Sequence, residues 1–233
     1  MKLAIEAMGS GSRTAALVHG ASASRDIWRE FARILVDEYD LTVLLVDLRG
    51  HGASPRADSY ALQDFVDDLV ETLPVELDLL IGQSLGAISA GFAADALRPG
   101  HLIMLDPPLE AKQWQRLALG YVAQVQKLLP VWVIRRILPA GVAPDMPRRV
   151  RANWVLWDHR MLPQLALTRG IVPLSPPVPA TIVLADPSRF VSAELAERLR
   201  GGGWDVRVKP GAVHDLHMQD PVGVVRMLDD VLS

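Results

Sequence analysis

Short apolar runs alternate with segments of helical periodicity along most of the chain. The apolar runs predict strands at residues 2–7, 14–18, 41–46, 77–81, 102–105, 181–185 and 206–208. Between them, apolar residues recurring at helical spacing predict helices at about 27–37, 60–73, 192–200 and 221–232. Strands that alternate with helices are typical of a mostly parallel, doubly wound sheet with helices on both faces, so we expect an α/β fold.

The alternation stops between residues 109 and 172, where only helical patterns occur. A stripe from Trp114 to Leu128 predicts one helix, and further helical segments are predicted at 131–138 and 145–160. We therefore expect a core formed by residues 1–108 and 173–233, with residues 109–172 inserted as a helical cap. The cap is expected over the carboxyl ends of the strands, where open α/β sheets bind ligands.

Composition restricts the class of protein. The chain has 233 residues, half of them apolar, which is enough for one α/β domain with an insertion. It has no cysteine, which fits a reducing compartment, and no apolar segment typical of a signal peptide, so we expect a cytoplasmic protein. No apolar run is long enough to cross a bilayer. We expect the protein to act on a small-molecule substrate and to bind neither a nucleic acid nor a membrane. The sequence does not indicate which oligomeric state the protein adopts.

The segment 79–88, Leu-Leu-Ile-Gly-Gln-Ser-Leu-Gly-Ala-Ile, carries the clearest chemical signal. A predicted strand leads into Gly-x-Ser-x-Gly, and a helix rich in small residues follows. Such a turn exposes the hydroxyl of Ser84 at the edge of the sheet. The turn requires glycine at positions 82 and 86 for one of two reasons. Either the strand and helix backbones approach closely there, or the backbone needs φ values that other residues avoid. This arrangement resembles the nucleophile elbow of the α/β-hydrolase family.

Further segments resemble the same family in the same order: His19-Gly20-Ala21, the loop Asp47-Leu-Arg-Gly-His-Gly-Ala-Ser54, and a histidine after the last strand. The resemblance implies that Ser84 is the nucleophile and that His214 is the base, with His217 as the rival. It also implies an oxyanion hole formed by the N–H groups of Leu85 and Ala21. We expect His19, Asp47, Arg49 and His51 to stabilise loops.

Two residues compete for the carboxylate that would orient the base. In the family it usually follows the penultimate strand, but Ser188 stands at that place if the register is kept. Asp186, two residues earlier, serves if the loop is shortened, and Asp106, at the end of the preceding strand, is the alternative. We favour Asp186. Whichever is not used is interpreted as a turn-forming aspartate before proline.

The resemblance implies hydrolysis of an ester-like carbonyl through an acyl-enzyme, with no metal or organic cofactor. A carbon–carbon bond hydrolase, a lactonase or a thioesterase would use the same residues, and some proteins of this fold only bind a small ligand. A nicotinamide-binding site is disfavoured because the segment that leads into the first predicted helix is His-Gly-Ala-Ser-Ala-Ser rather than Gly-x-Gly-x-x-Gly. A serine nucleophile also disfavours the dehalogenase and epoxide hydrolase branches, which attack through a carboxylate.

The predicted cap has features that bear on the substrate. Trp114, Trp154 and Trp157 are candidates for lining an apolar pocket, although aromatic residues also attach such helices to a core. Residues 109–172 contain ten Lys or Arg and three carboxylates, a net charge of +7. This charge would either attract anionic substrates or an acidic partner, or form a solvated helix surface, the interpretation we favour.

Overall fold

A seven-stranded sheet forms the centre of the computed structural model, which describes residues 1–110, 128–138, 140, 142–161, 163–164 and 175–233. The strands are β1 (Ile5–Met8), β2 (Arg13–Val18), β3 (Leu41–Val46), β4 (Leu79–Gln83), β5 (His101–Leu105), β6 (Ala180–Leu184) and β7 (Asp205–Val208). Their order in the sheet is β1-β3-β2-β4-β5-β6-β7. Only β1 is antiparallel to its neighbour, and the other pairs are parallel, as the alternation of elements predicts.

Helices cover both faces of this sheet. They are a 3-10 helix (Arg25–Trp28), α1 (Arg29–Glu38), α2 (Leu62–Thr72), α3 (Leu85–Leu97), α4 (Val131–Ile137), α5 (Met146–Leu156), α6 (Ala193–Gly201), α7 (Leu216–Gln219), α8 (Pro221–Met227) and α9 (Asp229–Leu232). Alternate residues of β2 enter different apolar clusters: Ala16 and Val18 join α2 and α3, whereas Ala15 and Leu17 join α1. This alternation follows from the two-residue period of a strand.

The carboxyl-terminal segment differs from the single helix predicted at 221–232. Residues 221–232 form two short helices, α8 and α9, and a further short helix, α7, precedes them. Pro221 is the first residue of α8, where its missing N–H costs no helical hydrogen bond, and the Asp220 carboxylate accepts from Gly223 N at 2.8 Å. Proline cannot continue a preceding helix, so α7 ends before it.

The helices α4 and α5 lie between β5 and β6 in the chain, where they pack on each other and α5 packs on the 3-10 helix that follows β2. Asn153 Oδ1 accepts a hydrogen bond from Ser24 Oγ at 2.8 Å, and Asp158 accepts one from the Tyr60 hydroxyl at 2.7 Å. The ring of Trp157 stacks on His51. These contacts attach the described part of the segment between β5 and β6 to the loops at the carboxyl ends of β2 and β3. The predicted helix that begins at Trp114 lies outside the described residues.

Candidate active site

Ser84 occupies the turn between β4 and α3. Its backbone has φ 53° and ψ −117°, a conformation that a residue with a side chain adopts only under strain. Its N–H donates to the carbonyl of Leu105 at 3.1 Å, which ties the turn to the neighbouring strand β5. The strain therefore falls on the serine itself, at the carboxyl end of a central strand.

The two glycines of the motif are required by close backbone approach. A Cβ on Gly82 would lie 2.4 Å from the carbonyl oxygen of Gly86, and one on Gly86 would lie 2.3 Å from that of Val18. Neither glycine has a positive φ. The glycines are therefore needed for the close approach of strand and helix and not for a positive φ. The residue with a positive φ in this turn is Ser84.

His214 lies on the loop after β7 and contacts Asp106, the residue after β5. The Nδ1 of His214 and Oδ2 of Asp106 are 2.7 Å apart. A carboxylate oxygen only accepts, so Nδ1 carries the proton and Nε2 presents its lone pair. This is the tautomer that a general base for a serine hydroxyl requires.

Asp106, and not the favoured Asp186, is the carboxylate at this histidine. Asp186 is exposed, and its contact with the histidine loop is a backbone bond from its N–H to the carbonyl of Ala212 at 3.2 Å. The register explains the difference: Leu105 pairs with Val183, so Asp106 lies level with Leu184. Asp186 lies two residues beyond that level, where the chain has left the sheet.

The family resemblance expects the acid at position 188. Ser188 stands there, and its side chain hydrogen-bonds the Asp106 carboxylate. Its hydroxyl donates to Asp106 Oδ1 at 2.9 Å, and the N–H of Ala185 reaches the same oxygen at 3.2 Å. Ser188 Oγ in turn accepts from the N–H groups of Phe190 and Val191 at 3.3 and 3.2 Å. The buried carboxylate thus has partners for both oxygens, which fixes its orientation toward His214.

The charges around His214 determine its proton affinity. Burial favours the neutral ring, but the hydrogen bond to Asp106 and the nearby Asp215 carboxylate outweigh burial and the opposing Arg189 charge. The pKa of His214 is therefore raised above its ordinary value of 6.5. The ring of Phe190 packs edge-on against the imidazole. This histidine accepts a proton more readily than a free imidazole.

The residues predicted for an oxyanion hole lie around Ser84. A Cβ on Gly20 would come within 3.0 Å of the Ser84 Cβ, so the loop that contains Ala21 passes directly beside the serine. The N–H of Leu85 is the first of α3, where no earlier turn of helix accepts from it. The backbone groups that the resemblance assigns to the oxyanion therefore lie on the two segments that flank Ser84.

Four polar residues of the family pattern hold the loops after β2 and β3. His19 donates to Gly20 O and accepts from Leu48 N at 3.1 Å, whereas Asp47 accepts from the backbone N–H groups of residues 25 and 53. Arg49 forms a two-pronged ion pair with Asp68.

His51 Nε2 accepts from Ser22 N at 3.2 Å, and its Nδ1 donates to the carbonyl of Arg49. Burial lowers the pKa of His19 to about 4 and that of His51 to about 3, so both rings are neutral. The contacts support the loop-stabilising roles expected for these residues.

His217, the rival base, is buried away from the carboxylate. Its ring lies against Trp28 with centroids 4.2 Å apart. Neither ring nitrogen has a hydrogen-bond partner among the described residues, and burial lowers its pKa to about 3. These surroundings favour His214.

Of the three tryptophans predicted for substrate binding, two are described. Trp154 is buried in the apolar cluster that contains Trp28, and Trp157 stacks on His51. Both positions attach the insertion to the core. Trp114 lies outside the described residues, and a role for these tryptophans in binding a substrate stays a prediction.

Two residues at this site were not identified as functional from the sequence: Gln83, whose amide contacts His214, and Ser188 as a partner of Asp106. The motif treats the position before the serine as variable, so it gave no signal for Gln83. Within the described residues no cluster of three or more His, Asp or Glu could hold a metal ion. None of the described helices is long and apolar enough to span a membrane.

Comparison with known proteins agrees with this fold. The model of the alpha/beta hydrolase family matches residues 16–227. A pimeloyl-[acyl-carrier protein] methyl ester esterase from Methylococcus capsulatus is 30% identical over an alignment that covers 91% of this chain and 88% of that protein.

Similar solved structures include an esterase from Exiguobacterium antarcticum, with a TM-score of 0.77, 16% identity and coverage of 99% of this chain and 95% of that one. The thioesterase domain from the curacin biosynthetic pathway has a TM-score of 0.74 and 20% identity, and covers 98% and 95% of the two chains. The fold, the strained serine turn and the extent of the family match lead to one conclusion. This chain belongs to the alpha/beta hydrolase family.

Proposed function

We propose that this protein is a serine hydrolase that cleaves a carboxylic ester through an acyl-enzyme on Ser84. The observation that carries the proposal is the 2.7 Å contact between His214 Nδ1 and Asp106 Oδ2. It fixes the proton on Nδ1, so Nε2 is left unprotonated and can act as the base. The strained Ser84 turn supports the proposal from the side of the nucleophile.

In the proposed mechanism, Ser84 Oγ attacks the ester carbonyl while its proton passes to His214 Nε2. The N–H groups of Leu85 and Ala21 stabilise the tetrahedral oxyanion. His214 then protonates the leaving alkoxide, so that an alcohol departs and the acyl group remains on Ser84. In the second half, water attacks the acyl carbonyl while His214 takes its proton. His214 then returns that proton to Ser84 Oγ as the serine leaves, and the carboxylic acid is released.

The substrate class proposed is an ester of an acyl chain with a small alcohol. The support is the relative from Methylococcus capsulatus, whose name describes hydrolysis of a methyl ester on a carrier-bound acyl chain. At 30% identity this similarity favours an esterase over the lactonase, thioesterase and carbon–carbon bond hydrolase alternatives.

A panel of substrates tests this proposal. We expect turnover of p-nitrophenyl esters of graded acyl length and of acyl methyl esters, and much slower turnover of matched lactones and thioesters. Ser84→Ala should abolish the activity while the circular dichroism spectrum stays unchanged. A well-folded parent protein that hydrolyses none of these esters would contradict the proposal and favour a ligand-binding role.

A further inference from the structure

The side chain of Gln83 lies between the two loops that flank the nucleophile. It is the last residue of β4 and only 2% exposed, directly before Ser84 in the chain. On one side its amide oxygen faces Gly20, where an added Cβ would come within 2.3 Å. On the other side its amide nitrogen faces the histidine loop. Gln83 therefore contacts both the proposed oxyanion loop and the proposed base.

Three acceptors surround that amide nitrogen. Gln83 Nε2 is 3.3 Å from His214 Nε2, 3.3 Å from the carbonyl oxygen of His214 and 3.4 Å from Asp215 Oδ1. An amide nitrogen has two hydrogens and only donates, so this surrounding of acceptors fixes the orientation of the amide. Each contact is long, and together they connect Gln83 to both the ring and the backbone of the base.

The contact with the ring depends on the protonation state of the histidine. Since Nδ1 donates to Asp106, Nε2 has a lone pair that the Gln83 N–H group faces. If Nε2 were protonated, two N–H groups would point at each other. Among the described residues, the side-chain amide of Gln83 contacts Nε2, and no hydrogen bond joins Ser84 Oγ to His214.

We propose that Gln83 is a positioning residue, whose amide keeps Nε2 of His214 an unprotonated acceptor and anchors the histidine loop beside Ser84. The amide gives up its contact with Nε2 when the serine proton is transferred. The inference rests on the proposed function only in identifying His214 as the base. The contact itself is a property of the resting protein and is measured without a substrate.

Other charged groups near the ring must be kept constant in any test. The Asp106 and Asp215 carboxylates favour the protonated ring of His214, whereas the Arg189 charge disfavours it. The neighbouring His217 is itself neutral, because burial lowers its pKa to about 3. None of these four residues needs to be changed to remove the amide. A change at Gln83 therefore isolates its own contribution.

The direct experiment is an NMR titration of the His214 imidazole in the parent protein and in two variants. Its signal among the six histidines is assigned from the spectrum of His214→Gln. Gln83→Met removes the donor at similar volume, so protonation becomes easier and the midpoint rises. Gln83→Glu places a carboxylate at the ring, and the midpoint should rise further, by about one unit or more.

Gln219 provides a matched control because it holds the same loop without contacting the ring. Its Oε1 accepts from Val213 N at 2.8 Å, and its Nε2 donates to Gly211 O at 3.1 Å. Gln219→Met loosens the loop but leaves the donor at Nε2 in place. We expect the titration midpoint of His214 in this variant to match that of the parent protein.

Kinetics separate positioning from a purely structural role. We expect Gln83→Met to lower kcat about tenfold with little change in KM, and the acidic limb of its pH profile to move with the NMR midpoint. A His214 midpoint unchanged in both Gln83 variants, or moved equally by Gln219→Met, would overturn the inference. A parent protein without esterase activity would instead overturn the proposed function, while the titration would still report on the amide.

Discussion

Asp106 directly follows β5, Asp186 comes two residues after the end of β6, and each precedes a proline, yet only Asp106 contacts His214. The carboxylate that pairs with His214 is buried and has partners for both oxygens, including the hydroxyl of Ser188. The other is exposed beyond the end of β6. The register between β5 and β6 places Asp106 level with Leu184 and Asp186 two residues beyond it, and this difference decides which aspartate can hold the imidazole.

The first prediction compares these two aspartates. Asp106→Asn should lower kcat by about 10⁴-fold, because an amide cannot stabilise the imidazolium and favours the wrong tautomer. Asp186→Asn should stay within about threefold of the parent protein, as expected for an exposed turn residue. Hydrolysis of a p-nitrophenyl ester, with folding checked by circular dichroism, makes the comparison. Equal effects of the two substitutions would contradict the assignment of Asp106.

The second prediction concerns pH. His214 acts as a base only when its ring is neutral, so kcat/KM should rise as the pH passes upward through the pKa of His214. That pKa is raised above 6.5 by Asp106 and Asp215, which outweigh burial, so the midpoint of the rise should lie above that value. A pH profile on a neutral ester measures it. A midpoint well below 6.5, or a flat profile, would argue against His214 as the base.

At the scale of elements, the turn from β4 to α3 is built by close contact between backbones. The glycines on either side of Ser84 have no room for a Cβ, because carbonyl oxygens of the neighbouring segments occupy that space. The small residues of α3 are almost all buried against the sheet, which brings the helix close to β4. This packing holds the serine in its strained conformation.

The third prediction follows from that packing. Gly82→Ala would place its Cβ 2.4 Å from a backbone oxygen, and it should destabilise the fold by about 1–3 kcal/mol or abolish it. Gly201→Ala at the end of α6 is the control, since nothing lies within 4 Å of its Cβ. It should change stability by less than about 1 kcal/mol. Urea unfolding measures both, and equal stability of the two variants would contradict the close approach.

At the scale of the whole molecule, the described part of the segment between β5 and β6 packs against the core and also exposes positively charged side chains to solvent. Two of its carboxylates are paired within the segment, Asp145 with Arg149 and Asp158 with Arg160. Arg135, Arg136 and Arg148 are exposed. The excess of basic residues over 109–172 is therefore presented partly to solvent, at the segment that packs on the carboxyl-end loops.

The fourth prediction tests what this charge does. For the solvated surface favoured above, we expect an anionic ester and a matched neutral ester to show the same salt dependence. Steering of substrates by this charge would instead make the anionic ester a few-fold faster at low salt than at high salt, and would leave the neutral ester unaffected. Replacing Arg135 and Arg136 together with glutamine would then remove part of that difference. Measurement of kcat/KM for both esters at two salt concentrations decides the matter. Equal salt dependence of the two esters would identify these arginines as a solvated surface without a steering role.

The fold was predictable because strand and helix periodicities are local properties. The central strands were located to within about two residues, and the turn at Ser84 was recognisable from its glycines. The choice between Asp106 and Asp186 depended on the register between β5 and β6, which is set by contacts distant in sequence. The Gln83 contact is equally non-local, because His214 comes from a loop more than a hundred residues later.

The central claim is that His214 and Asp106 make the hydroxyl of Ser84 a nucleophile, and reaction with a fluorophosphonate probe followed by peptide mass spectrometry tests it most directly. We predict a single adduct on the peptide that contains Ser84, absent in Ser84→Ala and formed far more slowly in His214→Ala and Asp106→Asn. A folded parent protein that forms no adduct, or forms one at another residue, would contradict the claim.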